Sequence, residues 1–574
     1  MKLCRSTVYA LLAIASGLPH VHGDEAPRSS SNGSNANHIF NAIQSSMRQF
    51  GSSLNHNGMS FFLATVPEGT EFYHGSPCPY RINNTQWLAF EPEHALIFAR
   101  PFNKPPGGGK HGHGPPPPPL GGKEPGSRWW KGKGRSSRPQ RPSPLRPSPS
   151  HDNKQPPQGR RHGVQQPMKG SPPERPKLPG EDDGLPFGYL HTYRTTRQLR
   201  LLYVDGQSAA KSDKGTLDTQ DWIIRDPFRP SPPRASASSP SQPAPSSPPS
   251  GPPGEAERAA EMCALADTLY SSRIDGILRM EGGFEVILCD FASLLSVVSI
   301  SAVSSPSHFG SPDGSSFDYY HAVAARYDGI GGQRVQLDYD GMLSLFSYPG
   351  AIYWDDTGRP RVNRTSSDIA GIRSILRHAI KTGQPEASVN WQNVADMIVS
   401  RYADRIEHIT SGNVETLEDL KTELNSALRP FVDVEHRDQE KEVERCAAQF
   451  WPAGVKTKDL NTAAGAVRET YLTLCAELAM ASRAETFEQG MGIVKSLREW
   501  LGWTTWKRCR GCGVHEVCLL PIWPIGSEKD FEQPQCVSGM EFGEEHMGYW
   551  ERMGRGPPPG HGDGDDGKHK PTWW

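Results

Sequence analysis

The sequence predicts an α+β protein: a small-sheet domain interrupted by disordered Pro-rich inserts, then an α-helical domain and a disulfide-rich C-terminal module. Three observations predict it. Short β-branched and aromatic runs gather before about residue 303, whereas amphipathic helical stripes dominate after 310. The 574 residues include 58 Gly and 53 Pro with only 35% apolar residues, a composition that cannot offset chain entropy everywhere and so concentrates disorder in some segments. Four of the ten cysteines fall close together near the C-terminus, within "CRGCGVHEVC" and at Cys536.

Taken in order, residues 1–23 read as a signal peptide. Lys2 and Arg5 precede the apolar run "VYALLAIASGL", and Val21 and Gly23 suit cleavage before Asp24. A polar leader covers 24–37. The small-sheet domain is expected over 38–100 and 184–303. It opens with one helix, "HIFNAIQSSMRQFGSSL", with Ile39, Ile43, Met47 and Phe50 at helical spacing. The strand "SFFLATVP" follows, then "TEFYHG", and "TQWLAFEPEHALIFAR" reads as a strand running into a helical turn. Residues 101–183 form a disordered Pro/Gly/basic insert and 226–254 a Pro/Ser insert. Between them "FGYLHTYRTTRQLRLLYVDG" reads as two strands around Thr195 to Gln198. After the second insert come a helix, "EAERAAEMCALADTLYSSR", and two short strands around a Gly-Gly turn, "IDGILRMEGG" and "FEVILCDF". The next apolar run, "LLSVVSISAV", is too short and too serine-rich to span a bilayer.

A helical domain is expected over 310–506. Ile369, Ile372, Ile375, Leu376, Ala379 and Ile380 make one stripe, with Ser and Asp at its start, and Asn390 caps the next helix. Asp338 and Asp340 in "LDYDG" suit a turn better than a cation site. The Cys-rich module covers 507–540, and 555–574 is a disordered tail.

The leader implies a secreted, extracellular protein without a membrane span, and thereby sets how the cysteines are read. Loss of Cys4 leaves nine, so most pair and one stays unpaired or intermolecular. Cys446 and Cys475 lie on successive helices that a disulfide would staple. Cys289 is a core residue or the partner of Cys263. Cys509, Cys512, His515, Cys518 and Cys536 have the spacing of zinc ligands in part. An oxidising compartment favours two disulfides there, so no metal is expected. Sequons at Asn32, Asn83 and Asn363 make the chain a glycoprotein on the same route. A net charge of -2 excludes nothing locally but gives no footprint for specific nucleic-acid binding. The insert at 101–183 is locally basic; it reads as a tolerated loop or as an arm that contacts a polyanion.

The ordered motifs "YHGS", "WLAFEPEHALIFAR", "LHTYRTTRQLRLLYVD" and "GGFEVILCDF" resemble the ADP-ribosyltransferase superfamily, His-Tyr-Glu branch, over about residues 60–100 and 185–292. The resemblance implies an NAD-binding domain that transfers ADP-ribose or hydrolyses NAD. It implies Glu285 as the catalytic carboxylate, stabilising positive charge on the ribose carbon. It implies His74 at the adenosine ribose, with Gly75 and Ser76 completing the motif. An aromatic ring should stack on nicotinamide. The sequence has Ala89-Phe90 where the family has tyrosine, so Phe90, Tyr193 or Tyr73 takes that role. Gly283 stands where an arginine-modifying enzyme has glutamate. The alternative, from another class, is a non-catalytic secreted or cell-surface binding protein that keeps the fold. In that case "YHG" is a strand-end turn, and Glu285 pairs with Arg279 or Arg273.

Overall fold

The computed structural model describes residues 35–83, 85–100, 187–210, 214–225, 255–304, 315–325, 334–383, 389–458, 460–538 and 544–550. The expected leader at 1–23, the sequon at Asn32, the inserts at 101–183 and 226–254 and the tail at 555–574 lie outside these residues. The described protein is mixed helix and sheet, as the patterning implies.

Nine strands form one sheet: β1 (Ser60–Val66), β2 (Glu71–Ser76), β3 (Gln86–Ala89), β4 (Gly188–Thr195), β5 (Leu199–Val204), β6 (Gly276–Met280), β7 (Phe284–Leu288), β8 (Leu295–Val303) and β9 (Gln336–Ser344). Their order is β8-β4-β2-β3-β7-β6-β5-β1-β9. The pair β5–β6 is parallel; the other pairs are antiparallel. The strands on either side of Thr195 to Gln198 are not a hairpin. β4 joins β2 and β8, while β5 crosses to lie between β6 and β1. β6 and β7 do form the hairpin that the Gly-Gly turn predicts.

The expected single helix over 38–54 is two, Ala36–Ser45 and Gln49–Leu54. Met47 between them has φ 54° and donates its N–H to the Tyr203 hydroxyl, so a buried tertiary contact overrides the helical pattern. The first helix packs not only on the sheet but among the helices Trp391–His408, Thr462–Ala481 and Phe487–Leu501. Asn37 and Asn41 donate to the carbonyls of Trp500 and Leu501 at 2.6 and 2.8 Å. One continuous core therefore runs from Ala36 through Phe62, Tyr203 and Ile287 to Trp391, Leu474 and Trp503.

Two segments in the later half differ from expectation. β9 lies where helix is expected from about Asp318. Leu343 and Leu337 register against Phe61 and Ala64 of β1, so burial against the sheet decides its conformation. The helix Asp368–Thr382 buries Ile369, Ile372, Leu376 and Ile380, but Ile375 is exposed. Its start is capped by Ser366, whose hydroxyl accepts from the Asp368 N–H, while Ser367 makes no side-chain cap. Asn390 caps Trp391–His408 as predicted. Asp338 closes a turn by accepting from the N–H groups of Asp340 and Gly341.

Four disulfides hold the described chain: Cys263–Cys289, Cys446–Cys475, Cys509–Cys518 and Cys512–Cys536. Cys78 is left unpaired among the described cysteines. Among the described residues, no helix is long and apolar enough to cross a membrane.

Candidate functional site

The centre of the sheet decides whether His74 and Glu285 share a ligand. In an antiparallel pair, residues directly opposite project to the same face, and successive residues to opposite faces. Tyr73 pairs with Ala89, and Ala89 with Glu285. Glu285 therefore shares a face with Tyr73. His74, one residue on, projects to the reverse face. This corrects the expectation of one site containing both: a sheet one backbone thick separates them.

On the Glu285 face lies a chain of alternating charges. Arg279, opposite Glu285 in the hairpin, donates from Nε to Glu285 Oε1 at 2.9 Å. Its other nitrogens reach Gln220 Oε1 and Glu255 Oε2, each at 2.7 Å. Glu255 accepts from Arg258 at 2.8 Å, and Arg258 donates to Asp221 at 3.2 Å. Asp221 accepts from Arg225 at 2.7 Å, and Arg225 continues to Glu261. The side chains of Arg279 and Glu285 are 0% and 4% exposed, whereas that of Glu261, at the far end, is 50% exposed. Burial alone pulls the Arg279 pKa down, but the carboxylates of Glu255, Glu285 and Glu281 push harder, and the net shift is upward. The Cys263–Cys289 bond ties the helix Glu255–Thr268, which supplies Glu255, Arg258 and Glu261 to this network, to the end of β7.

The short helix Pro92–Leu96 packs on the same face. A Cβ on Gly75 would stand 2.0 Å from the Ala95 carbonyl oxygen, so this glycine serves helix packing instead of ligand approach. A Cβ on Gly283 would stand 2.8 Å from His94 Nδ1. His94 is buried, and its Nδ1 has no hydrogen-bond partner. Burial lowers its pKa to about 4, against a hydrogen bond at the Phe284 backbone. It is thus a neutral, buried imidazole, and only its place inside "EPEHALIF" marks it in the sequence.

The polar side chains that β2 and β4 turn to the reverse face are neutral. His74 donates from Nδ1 to the Trp87 carbonyl at 2.7 Å, and its ring meets His191 edge-on at 6.0 Å. His191, its register partner in β4, bonds through Nε2 to the Cys78 carbonyl at 2.8 Å. A carbonyl can only accept, so Nε2 carries the proton and Nδ1 accepts from the Tyr193 hydroxyl at 3.1 Å. The Tyr193 oxygen in turn accepts from the Ile82 N–H at 3.2 Å. Every proton in this chain has one consistent place. Burial lowers the His74 pKa to about 4 and lowers that of His191 as well.

The remaining predicted site residues are occupied within the fold. Tyr193 is buried edge-on to Phe291 at 5.5 Å. Phe90 is buried against Phe72 at 4.7 Å. Ser76 accepts from the Cys78 N–H at 3.1 Å in a turn. Phe90 and Tyr193 are thus core rings, not open platforms for nicotinamide. In the Cys-rich module, the sulfurs of Cys509, Cys512 and Cys536 lie within 4.8 Å of one another, but they belong to two disulfides and are not thiolate ligands.

Fold and site together define a disulfide-bonded α+β scaffold whose central charged groups are paired with one another. Residues 31–316 match the family model described as the YPL277C N-terminal domain, a span that holds β1 to β8 and stops before β9. The chain is 30% identical over 279 residues to "Uncharacterized protein YPL277C" of Saccharomyces cerevisiae, covering 45% of this chain and 41% of that protein. It is 30% identical over 276 residues to "Uncharacterized protein YOR389W" of the same yeast, covering 45% of this chain and 32% of that protein. The aligned part thus spans less than half the length of either relative. No solved structure matches the chain significantly.

Proposed function

We propose that the chain is a secreted, non-catalytic binding protein: a disulfide-bonded scaffold that presents a basic arm to polyanions. The observation that carries the first half is the row Tyr73–Ala89–Glu285. It sets Glu285 and His74 on opposite faces, and Glu285 is spent on Arg279. A carboxylate that stabilises a ribosyl cation must face the ligand that the histidine holds, and this arrangement does not support it. ADP-ribosyl transfer and NAD hydrolysis, both with NAD as substrate, are therefore the weaker reading.

The arm is the segment 101–183, with sixteen Lys and Arg against six Asp and Glu. Such an excess attracts polyanions in a salt-dependent way. On the two described flanks of this segment, a Cβ on Gly188 would stand 1.8 Å from the Ala99 carbonyl oxygen, so its two ends lie together. Four disulfides, and sequons at exposed Asn83 and half-exposed Asn363, support the secretory route.

Purified protein incubated with NAD should release no nicotinamide, and Glu285→Gln should behave as the parent. Release that this substitution abolishes would overturn the non-catalytic reading. The parent should be retained on an immobilised sulfated polysaccharide and elute at high salt. A chain lacking 101–183 should elute near the void, and equal retention of both would overturn the role of the arm.

A further inference from the structure

The run "LLSVVSISAV", too short for a membrane, has become β8, and β8 ends the sheet. One side of it is paired with β4 along the whole of Gly188–Thr195. Among the described residues, no strand lies against its other side. Ser296, Val297, Val298, Ser299, Ser301 and Ala302 are exposed, with Val297 and Val298 at 37% and 45%. From Leu295 to Val303 there is no charged residue and no proline. Natural sheets block a bare edge with charges, proline, bulges, very short strands or a covering element. β8 is nine residues long and uses one of these devices. Tyr193 pairs with Val297 and Thr192 with Ser299, so Val298 is an extra, bulged residue. That bends the first part of the strand and leaves Ser299–Val303 regular.

The opposite edge of the sheet is defended. β9 carries Asp338 and Asp340 and breaks register against β1 between Phe61 and Leu63. The start of the helix Thr462–Ala481 lies against it, with Asn461 donating to Asp340 Oδ1 at 2.7 Å.

We infer that β8 is a homodimerisation edge, pairing antiparallel with β8 of a second copy across a two-fold axis. Antiparallel pairing of a strand with itself is self-complementary, and an uncharged strand meets no like charge when it faces its own copy. The net charge of each chain, -2, adds little repulsion. With one edge bare and the other blocked, the pairing closes at two chains and cannot propagate into a fibre. The chain's own segment 101–183 is a poor occupant, because its many prolines cannot donate to a ladder.

The test uses the full-length protein in sedimentation equilibrium from micromolar to hundreds of micromolar. The parent is expected at twice the mass of the single processed chain, which is below the 63.2 kDa of the full sequence, glycans aside. Val298→Lys with Ser301→Lys changes two exposed residues, so it should keep the parent's thermal unfolding curve. It should weaken the dimer by roughly tenfold or more, since the two-fold axis passes by Ser301, the centre of the regular stretch Ser299–Val303, and a lysine there meets like charge from its own copy. In a Cys78→Ser background, Ser301→Cys should cross-link the dimer on mild oxidation, and Ser411→Cys, on a remote exposed turn, should not. A parent that stays monomeric throughout would overturn the inference. So would a lysine variant that dimerises as the parent does, which would place the interface elsewhere.

Discussion

At β2, β3 and β7, one face of the sheet is charged and the other is neutral. On the Glu285 face, three arginines and four carboxylates alternate through the interior. On the His74 face, two imidazoles and a phenol pass hydrogen bonds to backbone groups and carry no charge. The two faces solve the same problem, burial of polar side chains, by different routes. Charges are tolerated only when paired, and imidazoles are tolerated by staying unprotonated. The difference teaches that a buried acid and a buried histidine two strands apart need not be partners in chemistry. Each is already committed to its own side.

The comparison breaks most severely at Arg279. Arg279→Met strands Glu285 and Glu255 without their shared cation and should cost about 3–5 kcal/mol in denaturant unfolding. Adding Glu285→Gln should recover part of this loss, and simple additivity of the two would show that the pair is not coupled.

Removing the Cys263–Cys289 bond by a double change to alanine should cost about 3 kcal/mol, given a loop of 26 residues. It should loosen the charged face while leaving the His191 and Tyr193 bonds in place. Hydrogen exchange resolved by segment would check this.

The neutral imidazoles predict acid sensitivity. His94 has a folded pKa of about 4 against an ordinary 6.5, so the unfolded chain binds more protons between these values. Its stabilising contribution is complete above pH 6.5 and is lost as pH falls toward 4, at most about 3 kcal/mol for so buried a group. His74 and His56, lowered to about 4 and about 3, act in the same direction. Stability measured from pH 7 to 4.5 should fall, and His94→Phe should flatten the slope. An unchanged slope would show that His94 does not titrate as its burial requires.

Tyr193→Phe should have the smallest effect, about 1–2 kcal/mol, because it leaves His191 Nδ1 and the Ile82 N–H unsatisfied without disturbing the ring packing. A change in the chemical shifts of His191, with those of the Glu285 side unmoved, would sharpen the separation of the two faces.

Much of this was legible in the sequence. "SFFLATV", "EFYHGS" and "ILRMEGGFEVIL" are strands because their patterning is local and their glycines mark turns. The Cys446–Cys475 staple followed from two adjacent amphipathic helices. That Glu285 meets Arg279, one of the two arginines expected, follows from the three-residue turn between β6 and β7. What failed did so for a non-local reason. Met47 breaks a helix to reach Tyr203, β9 joins the sheet from within helical sequence, and Asp221 and Glu255 meet Arg258 and Arg279 only through folding.

Sequence alone determined strands β1 to β7, most of the helices, the order of the motifs and the stock of cysteines, because periodicity, turn residues and composition act over a few residues. Tertiary structure alone decided which strands became neighbours and in what register. Register carries the functional consequence. Strand side chains alternate with period two, so the pairing of Tyr73 with Ala89 and of Ala89 with Glu285 is enough to put Glu285 and His74 on opposite faces. No pattern within either strand could have said so, since each reads the same whichever face its neighbour turns toward it.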